Sequence, residues 1–228
     1  GPVDLGGDIR REICLTLESM GFELEASHHE AAVGQHEIDI KYDTALRTAD
    51  NIVTFKMAVK SIANASGSYA TFMPKPRSGI SGSGLHLHMS LMRGGKNLFD
   101  GPDDPAGNGL SETAYQFLAG ILAHARALTA VCNPTVNSYK RLISGFEAPA
   151  HITWSCRNWS PLIRIPSGRG QGARLEFRSP DPSSNPYLAL ACCLAAGLDG
   201  IKKRMTPPPA TDRDLHDLPE EEIRKMGV

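Results

Sequence analysis

The chain lacks what would commit it to nucleic acid, a membrane or an oxidising compartment. Lysine and arginine number 24 against 25 aspartates and glutamates, a net charge of −1, so there is no basic footprint for nucleic acid or an anionic membrane. No apolar run is long enough to span a bilayer; the richest, Tyr187 to Leu198, is short and full of alanine. The five cysteines (Cys14, Cys132, Cys156, Cys192, Cys193) are odd in number, include no Cys-x-x-Cys, and put two side by side. That argues against a disulfide framework or zinc ribbon and for a reducing, cytoplasmic setting, with the thiols buried and inert. No secretory signal, internal repeat or Gly-x-x-x-x-Gly-Lys-Ser/Thr phosphate loop is visible. What is present is ordinary for a soluble globular protein: 228 residues, 41% hydrophobic and 21% charged, enough for one large domain with a sizeable core.

Periodicity sketches the elements. Ile9, Ile13, Leu17 and Met20 are spaced as an amphipathic helix, with Asp4 as N-cap and Gly21 as stop. Phe22, Leu24 and Ala26 alternate with polar residues, as does Glu37 to Tyr42, so Ala31 to Gly34 should turn a hairpin. A long helix should run from Thr44 or Thr48 to about Ala65, where Gly67 ends it. Thr71 to Pro76 reads as a strand that Pro74 and Pro76 terminate. Leu85 to Leu91 alternates strictly and reads as another strand. Gly94 to Gly109 reads as a turn-rich surface connection. Ser111 should cap one helix reaching about Val131, stopped by Asn133-Pro134. Loops and short strands, clearest at Ile152 to Ser155 and Arg174 to Arg178, fill residues 137–178. Asn185-Pro186 should start a final helix to about Lys203, and Pro207 and its flanks read as a linker. Strands cluster without regular βαβ alternation and no domain boundary stands out. The expected fold class is α+β with a largely antiparallel sheet.

The most informative stretch is His28-His29-Glu30-Ala-Ala-Val-Gly34-Gln35-His36-Glu37. Two carboxylates either side of a glycine turn repel and lose hydration, and a site that keeps both ionised usually supplies a cation. A solvated acidic hairpin is the plainer alternative. His86 and His88, two apart on a strand, share a face just after the Gly/Ser loop Ser78 to Gly84, whose glycines admit close backbone approach. Arg174, Glu176 and Arg178 likewise share a strand face, and Arg141, Glu147, Arg164 and Arg169 add charge nearby in sequence. Glu176 between two arginines is at its simplest a surface ion pair. The density of guanidinium forks with a few carboxylates suits anionic substrates and cations that neutralise phosphoryl oxygens, that is, metal-dependent phosphoryl transfer with a carboxylate co-substrate.

At this point the motifs become specific. Glu30-x-x-x-Gly-Gln-x-Glu37, Thr71-Phe-Met-Pro-Lys-Pro, Gly82-Ser-Gly-Leu-His-Leu-His-Met-Ser, Asn137-Ser-Tyr-Lys-Arg-Leu, Gly145-Phe-Glu-Ala-Pro and Asp181-Pro-Ser-Ser-Asn-Pro-Tyr-Leu-Ala together resemble bacterial class I glutamine synthetase, in family order and across nearly the whole chain. The resemblance implies a catalytic domain whose antiparallel sheet curves around the active site, in dodecamers of two stacked rings. It implies that Glu30 and Glu37 bind one Mg²⁺ or Mn²⁺ and that His86 and Glu176 bind a second. Gly82, Arg141 and Arg178 would hold L-glutamate. Glu25, His88 and Ser90 would meet the nucleotide, and Arg164 and Arg174 the ATP phosphates. Glu147 would be the flap residue that closes the site and helps deprotonate ammonium. The implied reaction phosphorylates the γ-carboxylate of glutamate from ATP, and ammonia then displaces the phosphate.

The chain departs from that pattern in places. Ser81 stands where the family usually has Asn, and Trp159 where it usually has Arg; an indole cannot replace a cationic fork, but its flat face can stack on an apolar or cationic substrate. The loop Ser167 to Gly172 is slightly shorter than in some members, which weakens Arg169 as a nucleotide contact. These changes suit a relative that joins glutamate to an amine or polyamine, the alternative to ammonia. Leu215-His216 occupies a segment where some members carry an adenylylated Tyr, so no such regulation is expected. The family's first catalytic strand with its Glu-x-Glu pair, its small β-grasp domain and its C-terminal helical part are not in these residues. The chain is therefore expected to be a fragment or a pseudo-enzyme scaffold, inactive alone and with weak, incomplete metal sites.

Overall fold

The computed structural model describes residues 4–146, 148–213, 215 and 221. It divides the chain into two units, Gly1–Ser83 and Gly84–Val228, and the boundary falls in the Gly/Ser loop.

The first unit is a helix, a hairpin and a helix: α1 (Gly7–Ser19), β1 (Leu24–His29), β2 (His36–Ile40) and α2 (Ala45–Ala65). Asp4 is not the N-cap of α1; Gly6 is. Asp4 instead accepts from the Gly6 N–H at 3.2 Å and from Arg10 Nη1 at 2.9 Å, so its carboxylate braces the entry to the helix rather than its first free amides. Gly21 does stop α1. At φ +89° it takes the left-handed conformation, and the Phe22 N–H returns to the Leu17 carbonyl at 3.0 Å. The β1–β2 pair is antiparallel and sets Ser27 opposite Ile38, His28 opposite Glu37 and His29 opposite His36. Ile13, Leu17 and Phe22 form the core, with Ile9, Leu24, Ile38, Phe55, Val59 and Ile62 packed around them. Residues 71–76 are not a strand. Pro74 and Pro76 offer no N–H to a ladder. The segment folds back locally instead, with Ser83 N–H on the Pro74 carbonyl at 2.9 Å and Lys75 Nζ on the Ile80 carbonyl at 2.6 Å.

The second unit holds β3 (Leu87–Met89), β4 (Met92–Arg93), β5 (Lys96–Asn97), α3 (Glu112–Ala123), α4 (Ala125–Cys132), α5 (Val136–Arg141), β6 (Trp154–Ser155), β7 (Ile163–Arg164), β8 (Leu175–Phe177) and α6 (Pro186–Lys203). Its four-stranded sheet runs β3-β8-β7-β6; the first two pairings are antiparallel and β6–β7 is parallel. The α+β class therefore stands, with a mainly antiparallel sheet. Residues paired across strands share a face. Leu87, Phe177, Ile163 and Trp154 form one row, buried in the core with Phe99, Phe117, Leu118, Ala189 and Cys193. His88, Glu176, Arg164 and Ser155 form the other row.

Several elements differ from the sequence expectation. The helix after Ser111 kinks at His124 instead of running straight: α3 ends, α4 begins, and the His124 imidazole bonds Asp199 Oδ2 on α6 at 2.8 Å. Backbone bonds continue through the kink. The short helix α5, read as loop, forms because Thr135 and Ser138 make a reciprocal capping box. The surface connection before α3 is anchored, since it buries Phe99 completely. The stretch after α6 is no free linker. Thr211 N–H bonds the Trp154 carbonyl at 2.9 Å, and Trp154 Nε1 donates to the Pro208 carbonyl at 2.7 Å. The α6 start is as expected: Asn185 Oδ1 accepts from Tyr187 and Leu188 N–H ahead of Pro186. All five cysteines are free. Cys132 and Cys193 lie buried, and a thiol–thiol hydrogen bond with Cys132 together with burial pushes the Cys193 thiol pKa up. Among the described residues no helix is long and apolar enough to cross a membrane.

One carboxylate organises the connection into α3. Asp104 accepts from the N–H groups of Ala106, Asn108 and Leu110 at 3.0, 3.0 and 3.1 Å and from the Tyr115 hydroxyl at 2.8 Å. Burial alone would raise its pKa, but these donors win and lower it. A depressed folded pKa stabilises above the unfolded value, about 3.9, and that contribution vanishes as pH falls through the folded value. Asp104→Ala is expected to cost about 2 kcal/mol at pH 7. In urea titrations the gap from wild type should shrink as pH falls below the unfolded value and through the lower folded one; an unchanged gap would contradict this account.

Candidate functional site

In the second unit the polar face of the sheet converges on Glu176, which is 1% exposed. Its Oε2 accepts from Arg164 Nε, and its Oε1 accepts from Arg178 Nη1 at 2.8 Å and lies 3.2 Å from His86 Nδ1. Strand geometry explains the convergence. Arg178 lies two residues on from Glu176 along the same run, Arg164 is its partner on β7, and His86 precedes β3, whose His88 is its partner on the other side. Burial would raise the Glu176 pKa, but His86, Arg178 and Arg164 hold it down at about 2, so it is ionised. His86 is shifted the other way. Its burial, with the charges of Arg178 and Arg141, lowers its pKa in spite of Glu176, so the imidazole is neutral near pH 7. An ionised carboxylate beside a neutral imidazole is the protonation state a divalent cation requires of its ligands.

The neighbouring cations are fixed by main chain and sheet. Arg174 Nε donates to His88 Nδ1 at 3.0 Å and Nη1 to the Gly172 carbonyl at 3.1 Å. Arg141, 3% exposed on α5, gives Nη1 to the Ser179 carbonyl at 2.7 Å and Nη2 to the Arg178 carbonyl at 3.1 Å. Burial lowers its pKa to about 10, which leaves it cationic at neutral pH. Gly84 lies against this group, and a Cβ there would meet Arg141 Nη2 at 2.7 Å and His86 Nε2 at 2.8 Å. His88 and Ser90 are exposed. Arg169 turns to its own loop, bonding the Pro166 and Gly168 carbonyls. Trp159 lies with its ring centroid 4.0 Å from the Arg164 guanidinium carbon and 5.5 Å from that of Arg178. The indole face that the sequence reading offered to a substrate thus lies beside the chain's own guanidinium groups. Glu147 and His216 lie outside the described residues.

In the first unit the hairpin gathers its own cluster. His28 Nε2 is 3.0 Å from Glu30 Oε1 and 3.9 Å from Glu37 Oε1, so one imidazole bridges both carboxylates singled out in the sequence. Glu30 also accepts from the Ala31 N–H at 3.0 Å. Ligand atoms of His28, Glu37 and Asp39 lie within 4.8 Å of one another. Burial, the neighbouring Asp39 and Glu30 raise the Glu37 pKa to about 7. Carboxylates that crowd until one resists ionisation suit a hard divalent cation, which would relieve the repulsion. Sequence reasoning missed His28 and Asp39 as members. The signal was there: Asp39 shares Glu37's strand parity, and a turn centred on residues 32–34 sets His28 across from Glu37. The other two hairpin histidines are engaged elsewhere, His36 Nδ1 with Arg10 Nη1 at 2.5 Å and His29 Nδ1 with the Glu30 carbonyl at 2.6 Å. Glu25 is exposed on β1, and Gly82 gives its carbonyl to Gln35 Nε2 at 2.9 Å.

A mainly antiparallel α+β fold with carboxylate, imidazole and guanidinium groups on one sheet face defines a class of protein that handles anions beside cations. Comparison with known proteins makes the family specific. The family model for the glutamine synthetase catalytic domain matches residues 1–228. Glutamine synthetases of Methanocaldococcus jannaschii and Clostridium saccharobutylicum are each 56% identical over 227 residues; the match covers 100% of this chain and 50% and 51% of those proteins. Among solved structures, Plasmodium falciparum glutamine synthetase superposes with a TM-score of 0.86 at 39% identity over 91% of this chain and 40% of that one. A GmaS/ADP complex gives 0.84 at 44% identity over 92% and 49%. The chain belongs to the glutamine synthetase family, and it spans about half the length of the curated relatives it matches.

Proposed function

We propose that the chain carries much of the active site of an ATP-dependent ligase that joins ammonia to L-glutamate, giving glutamine, ADP and phosphate. The observation that carries the reading is the Glu176 hub, an ionised carboxylate shared by Arg164, Arg178 and His86 in a member of this family. In this reading Glu30 and Glu37, with His28 beside them, and His86 with Glu176 are the Mg²⁺ or Mn²⁺ ligands. Bound metal would neutralise charge on the phosphoryl oxygens. Arg164 and Arg174 hold ATP phosphates, and Glu25, His88 and Ser90 meet the nucleotide. Gly82, Arg141 and Arg178 receive glutamate. The γ-carboxylate attacks the terminal phosphorus of ATP and ADP leaves; ammonia then attacks the acyl carbon and phosphate leaves. Glu147 takes the proton that ammonium gives up and shields the acyl phosphate from water. The intact protein is cytoplasmic and assembles as a homo-oligomer, a dodecamer by analogy with the family.

One observation favours a second acceptor. Trp159 puts a neutral aromatic face beside Arg164, which lowers the positive charge around the phosphoryl site and suits an alkyl or polyamine nucleophile. Phosphate release by the intact protein, with glutamate, ATP and either ammonium or an alkylamine, separates the two. Turnover with ammonium is expected; turnover with amine alone would replace the first reading by the second, and turnover with neither would sink both.

A further inference from the structure

We propose that Trp159 is a positioning residue for Arg164: the indole clamps the guanidinium against Glu176 and so presents its two terminal nitrogens as a fixed fork to phosphoryl oxygens. The inference rests on the ligase reading above. Trp159 is 59% exposed, yet the chain on either side of it is tied down. Asn158 and Ser160 are buried. Asn158 Nδ2 donates to the Thr211 and Arg213 carbonyls at 2.9 and 3.1 Å, and its Oδ1 accepts from the Ser160 N–H and hydroxyl at 3.1 and 2.9 Å. A large apolar side chain left exposed on so firm a base is held out for what it touches.

What it touches is Arg164. A guanidinium carbon 4.0 Å from the ring centroid is within stacking range. Stacking occupies the flat face of the guanidinium and leaves its edges free. Among the described residues the one side-chain hydrogen bond Arg164 makes runs from Nε to Glu176. The two constraints are complementary: the indole sets the plane of the guanidinium, and the Nε bond sets its rotation within that plane. The Nη1 and Nη2 edge is left to grip an anion in two-pronged fashion. A third arginine at position 159 would add charge next to Arg164 and Arg178, which already share Glu176. Tryptophan supplies order in place of charge.

The test uses phosphate release by the intact protein with whichever acceptor supports turnover. Trp159→Ala is expected to lower kcat roughly five- to thirtyfold, the rate equivalent of a partly desolvated cation–π contact, with the KM for glutamate moved less than about twofold. Trp159→Phe should keep at least about half the wild-type kcat, because a phenyl face still stacks. In an Arg164→Lys background, where no planar group is left to orient, Trp159→Ala should cost less than about twofold more. A full-sized loss in that background, a phenylalanine variant no better than alanine, or a wild-type kcat in Trp159→Ala would each overturn the clamp. If the intact protein turns over with neither acceptor, the ligase reading falls separately. The clamp is then judged by Mg·ATP binding: a dissociation constant raised severalfold in Trp159→Ala but not in Trp159→Phe supports it, and equal constants sink it.

Discussion

Glu176→Gln is expected to lower turnover of the intact protein by at least about 10²-fold and to destabilise the second unit by about 3 kcal/mol. The substitution keeps the shape of the side chain and removes its charge. One carboxylate oxygen becomes an amide NH₂, a donor facing a donor, because Arg164 Nε and Arg178 Nη1 both point at Glu176. Arg178 is 3% exposed and would lose the charged oxygen that its Nη1 meets at 2.8 Å. Removing one partner of a buried pair costs far more than the intact pair contributes, since desolvation of the survivor is no longer offset. The functional loss has a separate cause. His86 keeps its imidazole but loses the anion 3.2 Å away, and with it one of two groups in reach of a single cation. Urea midpoints and steady-state phosphate release read the two effects independently. A variant with a wild-type midpoint would mean that the hub carries no stability, and one within tenfold of wild-type turnover would remove Glu176 from the chemistry. Acid should mimic the folding effect: a folded pKa near 2, below the unfolded value of about 4.3, means Glu176 stabilises above the latter and loses that contribution as pH falls through the former.

The same residue shows how far the sequence could be read. Period-2 spacing placed Arg174, Glu176 and Arg178 on one strand face, and β8 bears that out. Which side chains lie opposite Glu176 could not be read, because strand parity carries no information about register with distant strands. His88 and Arg164 become its lateral neighbours only when β3 and β7 dock on either side of β8. Helices α1, α2 and α6 were legible from spacing and from Gly21, Gly67 and Asn185-Pro186, signals that act within one turn. The errors lie where a local signal met a tertiary competitor. Asp4 has cap chemistry but is drawn to Arg10. The proline-flanked run at 71–76 has strand composition but no ladder donors to spend at Pro74 and Pro76. The triple proline after α6 and its flank looked like a linker because their partners, Trp154 on Pro208 and Asn158 on Thr211, lie far back in the chain. In the hairpin the carboxylates were found by spacing, whereas His28 and Asp39 needed the register of β1 on β2.

Gly120→Val should have the largest effect on folding. A Cβ at Gly120 would collide with the Ala196 carbonyl oxygen and lie 2.9 Å from the Gly200 backbone, and a Cβ at Gly200 would meet Gly120 in turn at 2.7 Å. Helices α3 and α6 therefore touch backbone to backbone, and Gly197 lets the Phe117 ring into the same seam. The neighbour at Gly120 is main chain inside a helix and has no rotamer by which to give way. Relief requires the helices to part, and the expected cost is about 3 kcal/mol or more. The damage would not stop at the seam. Phe117, Leu118, Ala189 and Cys193 belong to the same core as Ile163, Leu175 and Phe177, the buried row of the sheet whose other face holds Glu176 and Arg164. Parting α3 from α6 removes the packing behind β7 and β8, so the register that brings Arg164 to Glu176 loosens as well. The variant should combine a lower urea midpoint with a fall in turnover even at temperatures where it stays folded. Gly120→Ala, with one carbon to accommodate, should show both effects in smaller measure and in the same ratio. If Gly120→Val melts early yet turns over at the wild-type rate while folded, the sheet face is held by something other than the helix pair behind it.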